Sequence, residues 1–191
     1  ILGANYLFLE EDCFKAFNVL EEALKISAEV KDAVTAIFAS YWFGVALSMN
    51  CEFEKSAPYI RKALDINTAF NILWGIATVK SDLSYFNYYL PGKIDLAFQA
   101  SGEAVRIAEE SGDILAKAFS YPIHGISCYG MGLLEDAERY SLKALEMTEG
   151  IHHHLRNGGS YLKLGHIYFE MGDFSRSKEH YEKSFRVFEK I

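Results

Sequence analysis

Charged and uncharged stretches alternate along this chain of 191 residues with a spacing of about 20 residues. Within the charged stretches, apolar residues recur at the three-to-four-residue spacing of an amphipathic helix. We therefore predict two kinds of helix, a nearly uncharged helix A packed between its neighbours and a charged helix B in the outer layer. The predicted B segments hold 37 of the 45 charged residues and are residues 10–31, 52–65, 93–110, 135–149 and 173–190.

An internal repeat of 40 or 41 residues underlies this alternation. A small residue recurs in the middle of each predicted helix B, namely Ala23, Ala63, Ala104, Ala144 and Ser184. Another recurs seven positions earlier, namely Ala16, Ser56, Ala97, Ala137 and Ser177. Residues seven apart lie on one face of a helix, so both can pack against helix A. One continuous array of hairpins is predicted, with approximate repeats 1–30, 31–70, 71–111, 112–151 and 152–191.

Short turns are predicted between helices A and B of each repeat, at Glu11, Cys51, Gly92, Gly132 and Gly172. Seven positions before each turn residue lies a residue that is small in four repeats, in the order Ala4, Gly44, Tyr85, Gly125 and Gly165. A small residue there lets a neighbouring helix approach closely, and Tyr85 is the exception to this pattern. Helix A is expected to begin near Asp32, Asn71, Asp113 and His153.

The fifth repeat, YLKLGHIYFEMGDFSRSKEHYEKSF over residues 161–185, resembles the tetratricopeptide repeat family. The resemblance rests on Tyr161, Leu164, Gly165, Tyr168, Gly172, Asp173, Phe174, Ser177, Tyr181 and Ser184. The fourth repeat, YPIHGISCYGMGLLEDAERYSLKAL, also matches well, and the first three match less closely. A period near 40 residues is similar to the longer repeats of bacterial signalling ATPases and regulators. The resemblance implies an all-α fold, a right-handed α-solenoid of about five helix-turn-helix repeats.

The resemblance also implies that the A helices line a concave face that receives a partner. It places on this face Phe8, Tyr41, Val45, Met49, Asp82, Phe86, Tyr89, Phe119, Ile126, Tyr129, Leu162, His166 and Phe169. Four aromatic residues, Phe8, Tyr89, Tyr129 and Phe169, share one column with Ser48. Two interpretations of this column remain open: an open aromatic groove, or aromatic side chains that pack against each other.

The expected function is that of a protein–protein interaction scaffold or regulatory module of a larger signalling protein, binding a peptide or helix on the concave face. The alternative is a module that senses a peptide or small molecule and switches an attached effector domain. A closed pocket with polar groups around Tyr41, Asp82, Tyr89 and His166 would favour the sensor. An open apolar groove would favour a protein partner.

Composition narrows the partners and the compartment. A formal charge of −7, from 19 basic and 26 acidic side chains, argues against nucleic-acid binding. Cys13, Cys51 and Cys128 cannot all pair and no Asn-x-Ser/Thr acceptor occurs, which favours the cytoplasm. Residues 33–51 carry no charge, but similar runs recur at the repeat spacing, so we predict buried repeat helices and no membrane span.

Two further expectations concern the ends and the chemistry. The chain lacks an initiator Met, so we expect a piece of a longer protein, whose uncapped repeat ends would favour self-association. No Walker loop, strand-linked G-x-G-x-x-G or H-E-x-x-H motif occurs, so no enzyme activity or cofactor is expected.

Histidines are the remaining candidate ligands. His152, His153 and His154 are adjacent, and adjacent helical residues point about 100° apart, so all three cannot meet one metal ion. A cluster at a helix start or loop is favoured there. His124 and His166 lie on A helices and are predicted to be hydrogen-bonded packing residues.

Overall fold

The computed structural model describes Gly3 and residues 13–150 and 154–189, and these form nine α-helices and no strand. The helices are α1 (Cys13–Glu29), α2 (Ala33–Met49), α3 (Phe53–Ala69), α4 (Leu73–Asp82), α5 (Ile94–Ser111), α6 (Ile114–Gly130), α7 (Leu134–Gly150), α8 (His154–Glu170) and α9 (Phe174–Phe188). A π-helix, Leu83–Tyr89, continues α4 directly. The predicted all-α fold of stacked helical hairpins is confirmed.

The helices alternate in character as the sequence pattern predicts. Helices α2, α4, α6 and α8 are the A helices, and α1, α3, α5, α7 and α9 are the B helices. Each helix packs against the next along the chain, and A helices of successive repeats also touch. The small residues of the B helices are buried against the A helices, with Ala23 half-buried, so close packing at these positions is confirmed.

Turns between helices follow one local geometry. Cys51, Gly92, Gly132 and Gly172 all adopt positive φ, between 60° and 83°. The next residue donates its N–H to a carbonyl five positions back, for example Leu133 to Cys128 at 2.9 Å. This is the Schellman arrangement, which requires a left-handed residue and favours glycine. Four of the predicted turn positions are therefore confirmed, and Cys51 adopts the same conformation without being glycine. The fifth, Glu11, lies outside the described residues.

Aspartates cap two of the A helices. Asp32 Oδ1 accepts the Val34 N–H at 3.0 Å, and Asp113 Oδ1 accepts the Ala116 N–H at 2.7 Å. These bonds satisfy amides that a helix leaves unpaired at its start, so the predicted starts there are confirmed. Asn71 instead has φ of 52° and lies in the turn, and α4 begins at Leu73.

A π-helix absorbs the extra residue of the third repeat. Its i to i−5 pattern is seen where the Leu90 N–H donates to the Tyr85 carbonyl at 3.0 Å. The insertion shifts the register, so Ser84 and not Tyr85 takes the small-residue position. Ser84 is fully buried, and its Oγ donates to the Ala97 carbonyl on α5 at 2.8 Å. The alignment of Tyr85 with Gly44 was therefore wrong by one residue.

None of the helices in the described ranges is long and apolar enough to cross a membrane. Residues 33–49 of the uncharged run form α2, a helix of 17 residues. Ala39, Val45 and Leu47 are among its buried side chains, so the run packs inside the array as predicted.

His124 on α6 is a packing residue, as predicted. Its ring lies between Phe98 and Tyr140, with ring centroids 5.3 and 4.6 Å away, and its Nδ1 is 2.9 Å from Ser101 Oγ. Burial lowers the pKa of His124, and nearby Asp136 offsets this in part. The folded chain therefore holds this imidazole neutral.

This burial predicts a loss of stability in mild acid. The unfolded chain takes up a proton on His124 near its ordinary pKa of about 6.5, and the folded chain resists that proton. The stability gained from neutral His124 is thus complete above that pH and is lost as the pH falls toward the lowered pKa. We expect the urea unfolding midpoint to fall between about pH 7 and 5.5, and to fall less in His124→Gln.

Glutamine can still bond to Ser101 but does not titrate, which makes it a suitable control. The carboxylates of Asp32 and Asp173 have lowered pKa values and titrate below this window in both proteins. An equal fall of the midpoint in both proteins would contradict the buried neutral imidazole.

Candidate functional site: two cavities along the A helices

Two cavities open between A helices of successive repeats. The larger, which we call the Tyr129 cavity, has a volume of about 320 Å³. It is lined by Tyr89, Gly125, Ile126, Tyr129, Ser141, Lys163, His166 and Ile167. The smaller, which we call the Trp74 cavity, has a volume of about 160 Å³. It is lined by Ile37, Phe38, Tyr41, Trp42, Asn67, Trp74, Gly75, Thr78, Val79, Leu115 and Phe119.

The Trp74 cavity is an apolar surface shared by α2, α4 and α6. Phe38, Trp74 and Leu115 border it and are each about half exposed. The packing of the helices leaves these three side chains uncovered, although burial of large apolar side chains away from water is favourable. A run of such side chains on one surface is typical of a binding site.

The Tyr129 cavity combines aromatic walls with hydroxyl groups. Tyr89 comes from the π-helix and Tyr129 from α6, and burial raises the pKa of both phenols. Both therefore stay protonated near neutral pH and can donate hydrogen bonds. The Tyr129 hydroxyl lies 3.4 Å from Glu170 Oε1 on α8, which links two successive A helices across the rim.

Six of the residues predicted from the sequence border the two cavities. Tyr89, Ile126, Tyr129 and His166 meet in the Tyr129 cavity, whereas Tyr41 and Phe119 border the Trp74 cavity. Met49, Leu162 and Phe169 are exposed outside both linings. Phe8 lies outside the described residues.

Three predicted surface residues belong to the interior. Val45 is only 2% exposed and lies in a core cluster with Ile60 and Leu83. Asp82 is buried and accepts a hydrogen bond from the Tyr41 hydroxyl, which joins α2 to α4. Phe86 is half-buried against the same core. These side chains face the neighbouring helices because the array winds tightly enough to bury this part of helix A.

The single closed pocket considered for a sensor is not formed. Tyr41 and Asp82 bond to each other, whereas Tyr89 and His166 lie in the Tyr129 cavity. His166 was predicted to be a hydrogen-bonded packing residue, but it is exposed and has its ring edge-to-face with Tyr181 at 5.4 Å. The aromatic column is likewise divided, since Ser48 is buried against Ser56 and Phe169 is exposed.

Several lining residues are not among those predicted from the sequence. Trp74 and Leu115 are the second residues of their helices and precede the positions that the family resemblance places on the concave face. Ser141 belongs to a B helix and was assigned to the outer layer. A signal for Ser141 does exist in the sequence. The equivalent residue is large in the second repeat, Ile60, and in the fifth repeat, Tyr181, whereas Ser141 is small.

The remaining candidates for chemistry in the described ranges are metal-binding side chains and the thiol of Cys128. No cluster of three or more His, Cys, Asp or Glu side chains there could hold a metal ion. His152 and His153 lie outside the described residues. Cys128 is a buried free thiol, and burial raises its pKa to about 11, so it remains protonated.

Comparison with known proteins supports the fold. Residues 115–190, which span the fourth and fifth repeats, match the tetratricopeptide repeat family model. The predicted resemblance is therefore confirmed where the motif positions are best kept. Among curated protein sequences, none matches this chain significantly.

Several solved structures share the architecture. BtubC from P. vanneervenii is 19% identical with a TM-score of 0.74, and the match covers 97% of this chain and 76% of that one. A Rap protein in complex with Competence and Sporulation Factor is 18% identical with a TM-score of 0.84, and the match covers 97% and 51%. A putative kinesin light chain of Podosopora anserina is 14% identical with a TM-score of 0.68, and the match covers 99% and 92%. The chain thus spans about half of the Rap protein, and at these identities the likeness concerns the fold.

Proposed function

We propose that this chain is a non-catalytic protein-interaction module that binds an extended peptide or helix of a partner along its A helices. The observation that carries the proposal is the placement of both cavities: each is lined by A helices of successive repeats. A ligand lying across the array would meet both surfaces, since α6 contributes to each. The single helix α6 supplies Leu115 and Phe119 to one cavity and Tyr129 to the other.

The chemistry of the surface suits a polypeptide. Leu115, Trp74 and Phe38 offer apolar area, and aromatic anchors contribute a large share of the affinity at protein interfaces. Tyr89 and Tyr129 add hydroxyl groups at the other cavity. The chain carries a formal charge of −7, which disfavours nucleic acid as the partner. The repeat family match and the Rap fold likeness add support for an interaction or regulatory role.

Replacing Leu115 with alanine should test the proposal. Peptides are first selected from a random display library on the intact chain, and their affinities are measured by fluorescence anisotropy. We expect Leu115→Ala to lower the affinity for the selected peptides about tenfold. A leucine side chain that a bound peptide buries loses about 1.4 kcal/mol or more of apolar contact when it is truncated to alanine.

Leu142 provides the matched control because it is a leucine of similar exposure on B helix α7, 43% against 55% for Leu115. Leu142→Ala should leave the affinities unchanged. Equal weakening by both substitutions, or weakening by Leu142→Ala alone, would place the peptide elsewhere and contradict the proposal.

A second candidate function is a sensing module that switches an attached effector domain. The Tyr129 cavity favours it, because its volume of about 320 Å³ lies at the lower end of small-ligand pockets and it carries polar groups. A switch of this kind requires the ligand to bind one arrangement of the repeats more tightly than another. Small-angle scattering that changes on ligand addition would support the sensor over a passive scaffold.

Self-association is also part of the proposal. Val105 on α5 is only 4% exposed because α6 packs over it through Tyr121. Phe185 occupies the equivalent position on α9 and is 64% exposed. The exposed face of α9 is thus the kind of surface that a further helix covers inside the array.

A cytoplasmic setting is proposed on the grounds that Cys51 and Cys128 are free thiols.

A further inference from the structure

We propose that the Tyr129 cavity is a specificity pocket for one tyrosine side chain of the partner peptide, whose phenol hydroxyl bonds to Ser141 on the cavity floor. The inference rests on the proposed peptide-binding function and names the chemistry that one of its two cavities recognises. Three features of this cavity carry it.

The first feature is the origin of the cavity, which arises where two small residues face each other. A Cβ added at Gly44 would lie 2.5 Å from Ile60 Cγ1, and one added at Gly165 would lie 2.6 Å from the Tyr181 ring. In those repeats a large side chain from helix B therefore fills the gap over the helix A glycine. In the fourth repeat the residue facing Gly125 is Ser141, with its Oγ 3.1 Å from the added Cβ. Serine leaves the space that isoleucine and tyrosine fill.

The second feature is the unpartnered hydroxyl of Ser141. This residue is 1% exposed, and its Oγ has no hydrogen-bond partner among the described residues. Its equivalent one repeat earlier, Ser101, lies 2.9 Å from His124 Nδ1. One repeat after His124, the equivalent position is occupied by Leu164, which is buried and apolar. Leu164 cannot bond to Ser141 as His124 bonds to Ser101. A buried hydroxyl without a partner is costly, so a ligand group that bonds to it gains affinity.

The third feature is the wall of the cavity. The rings of Tyr89, Tyr129 and His166 and the side chains of Ile126 and Ile167 surround the space above Ser141. Aromatic rings pack well against one another in edge-to-face or offset arrangements, which favours an aromatic occupant. Lys163 also borders the cavity but already interacts within the chain.

A phenol satisfies all three features. Its ring matches the aromatic and aliphatic walls, and its hydroxyl can both donate to and accept from Ser141 Oγ. A phenylalanine ring would fill the walls but leave the serine unpaired. A carboxylate or ammonium group at the same depth would bury a charge beside a neutral hydroxyl, which is unfavourable.

The pocket can be tested with two probes that differ by one hydroxyl, N-acetyl-tyrosinamide and N-acetyl-phenylalaninamide. Each is titrated into the intact chain and followed through the backbone amide signals in NMR spectra. We expect both to shift the signals of Gly125 and Ser141, and the tyrosine probe to bind about tenfold more tightly. Equal affinities, or no shift at these two residues, would overturn the assignment.

Substitutions taken from other repeats sharpen the test. Ser141→Ala should remove the preference for the tyrosine probe and leave the phenylalanine probe bound as before. Ser141→Ile copies the pairing of Gly44 with Ile60, so it should fill the cavity and abolish binding of both probes while the melting temperature holds or rises. Ser101→Ala is the control, since Ser101 bonds to His124 away from the cavity, and it should change neither affinity.

Failure of the pocket and failure of the peptide-binding function give different results. If Ser141→Ile retains the selected peptides at full affinity while Leu115→Ala weakens them, peptides bind but the tyrosine pocket is refuted. If the probes bind at Ser141 but Leu115→Ala and Leu142→Ala behave alike, the pocket stands and the extended peptide surface is refuted.

Discussion

Replacing Ile60 with alanine is expected to lower the free energy of unfolding by about 2–5 kcal/mol, the usual cost of truncating a fully buried aliphatic side chain. Ile60 on α3 is completely buried in a cluster that includes Tyr41, Val45 and Leu83. Its Cγ1 occupies the space left by the missing side chain of Gly44. Urea unfolding followed by circular dichroism measures the loss.

Gly44→Ala provides the complementary change. In the wild-type background its methyl group would lie 2.5 Å from Ile60 Cγ1, so we expect a loss of about 1–3 kcal/mol from overpacking. In the Ile60→Ala background that clash is gone, and only backbone contacts at 3.1 and 3.3 Å remain. The double variant should therefore be more stable than the sum of the single losses predicts. Strict additivity would contradict the direct contact between Gly44 and Ile60.

Replacing Ser84 with leucine is expected to cost about 3 kcal/mol, because the larger side chain must separate α5 from the π-helix. Ser84 is fully buried, and its hydroxyl bond to the Ala97 carbonyl would also be lost. Tyr85→Leu should cost clearly less, because Tyr85 is only half-buried and the change loses little beyond the stacking of its ring on Tyr89. Thermal and urea unfolding of the two variants give the comparison.

This pair of variants tests the register set by the π-helix. If the third repeat were a plain α-helix aligned by its turn at Gly92, Tyr85 would occupy the close approach and Ser84 would lie beside it. Ser84→Leu would then be tolerated and Tyr85→Leu would have the larger effect. That ranking would contradict the inserted residue.

Much of the fold follows from the sequence because the same packing requirement recurs in every repeat. Small residues such as Ala97 and Ala137 are needed wherever helix B meets helix A, so their spacing reveals the hairpins. The turn at Cys51 is predictable because Cys51 stands at the repeat spacing of Gly92 and Gly132, and it adopts a Schellman turn without being glycine. The π-helix is harder to see, because one inserted residue changes the interval only from 40 to 41.

The surface is less predictable than the fold. Family positions locate helix faces, but burial of Val45 and Asp82 depends on how closely successive repeats wind, which is set by side chains of three helices together. The Tyr129 cavity depends on a pair of facing residues, Gly125 and Ser141, rather than on either alone. Comparing such pairs between repeats, as with Gly44 and Ile60, makes an unfilled space visible in the sequence.

The most direct measurement is photo-crosslinking of a selected peptide that carries a benzophenone side chain, with the linked residues identified by mass spectrometry. Binding along the A helices predicts crosslinks on α2, α4, α6 and α8, at side chains such as Phe38, Trp74 and Tyr129. Crosslinks confined to B-helix side chains such as Leu142 would contradict it.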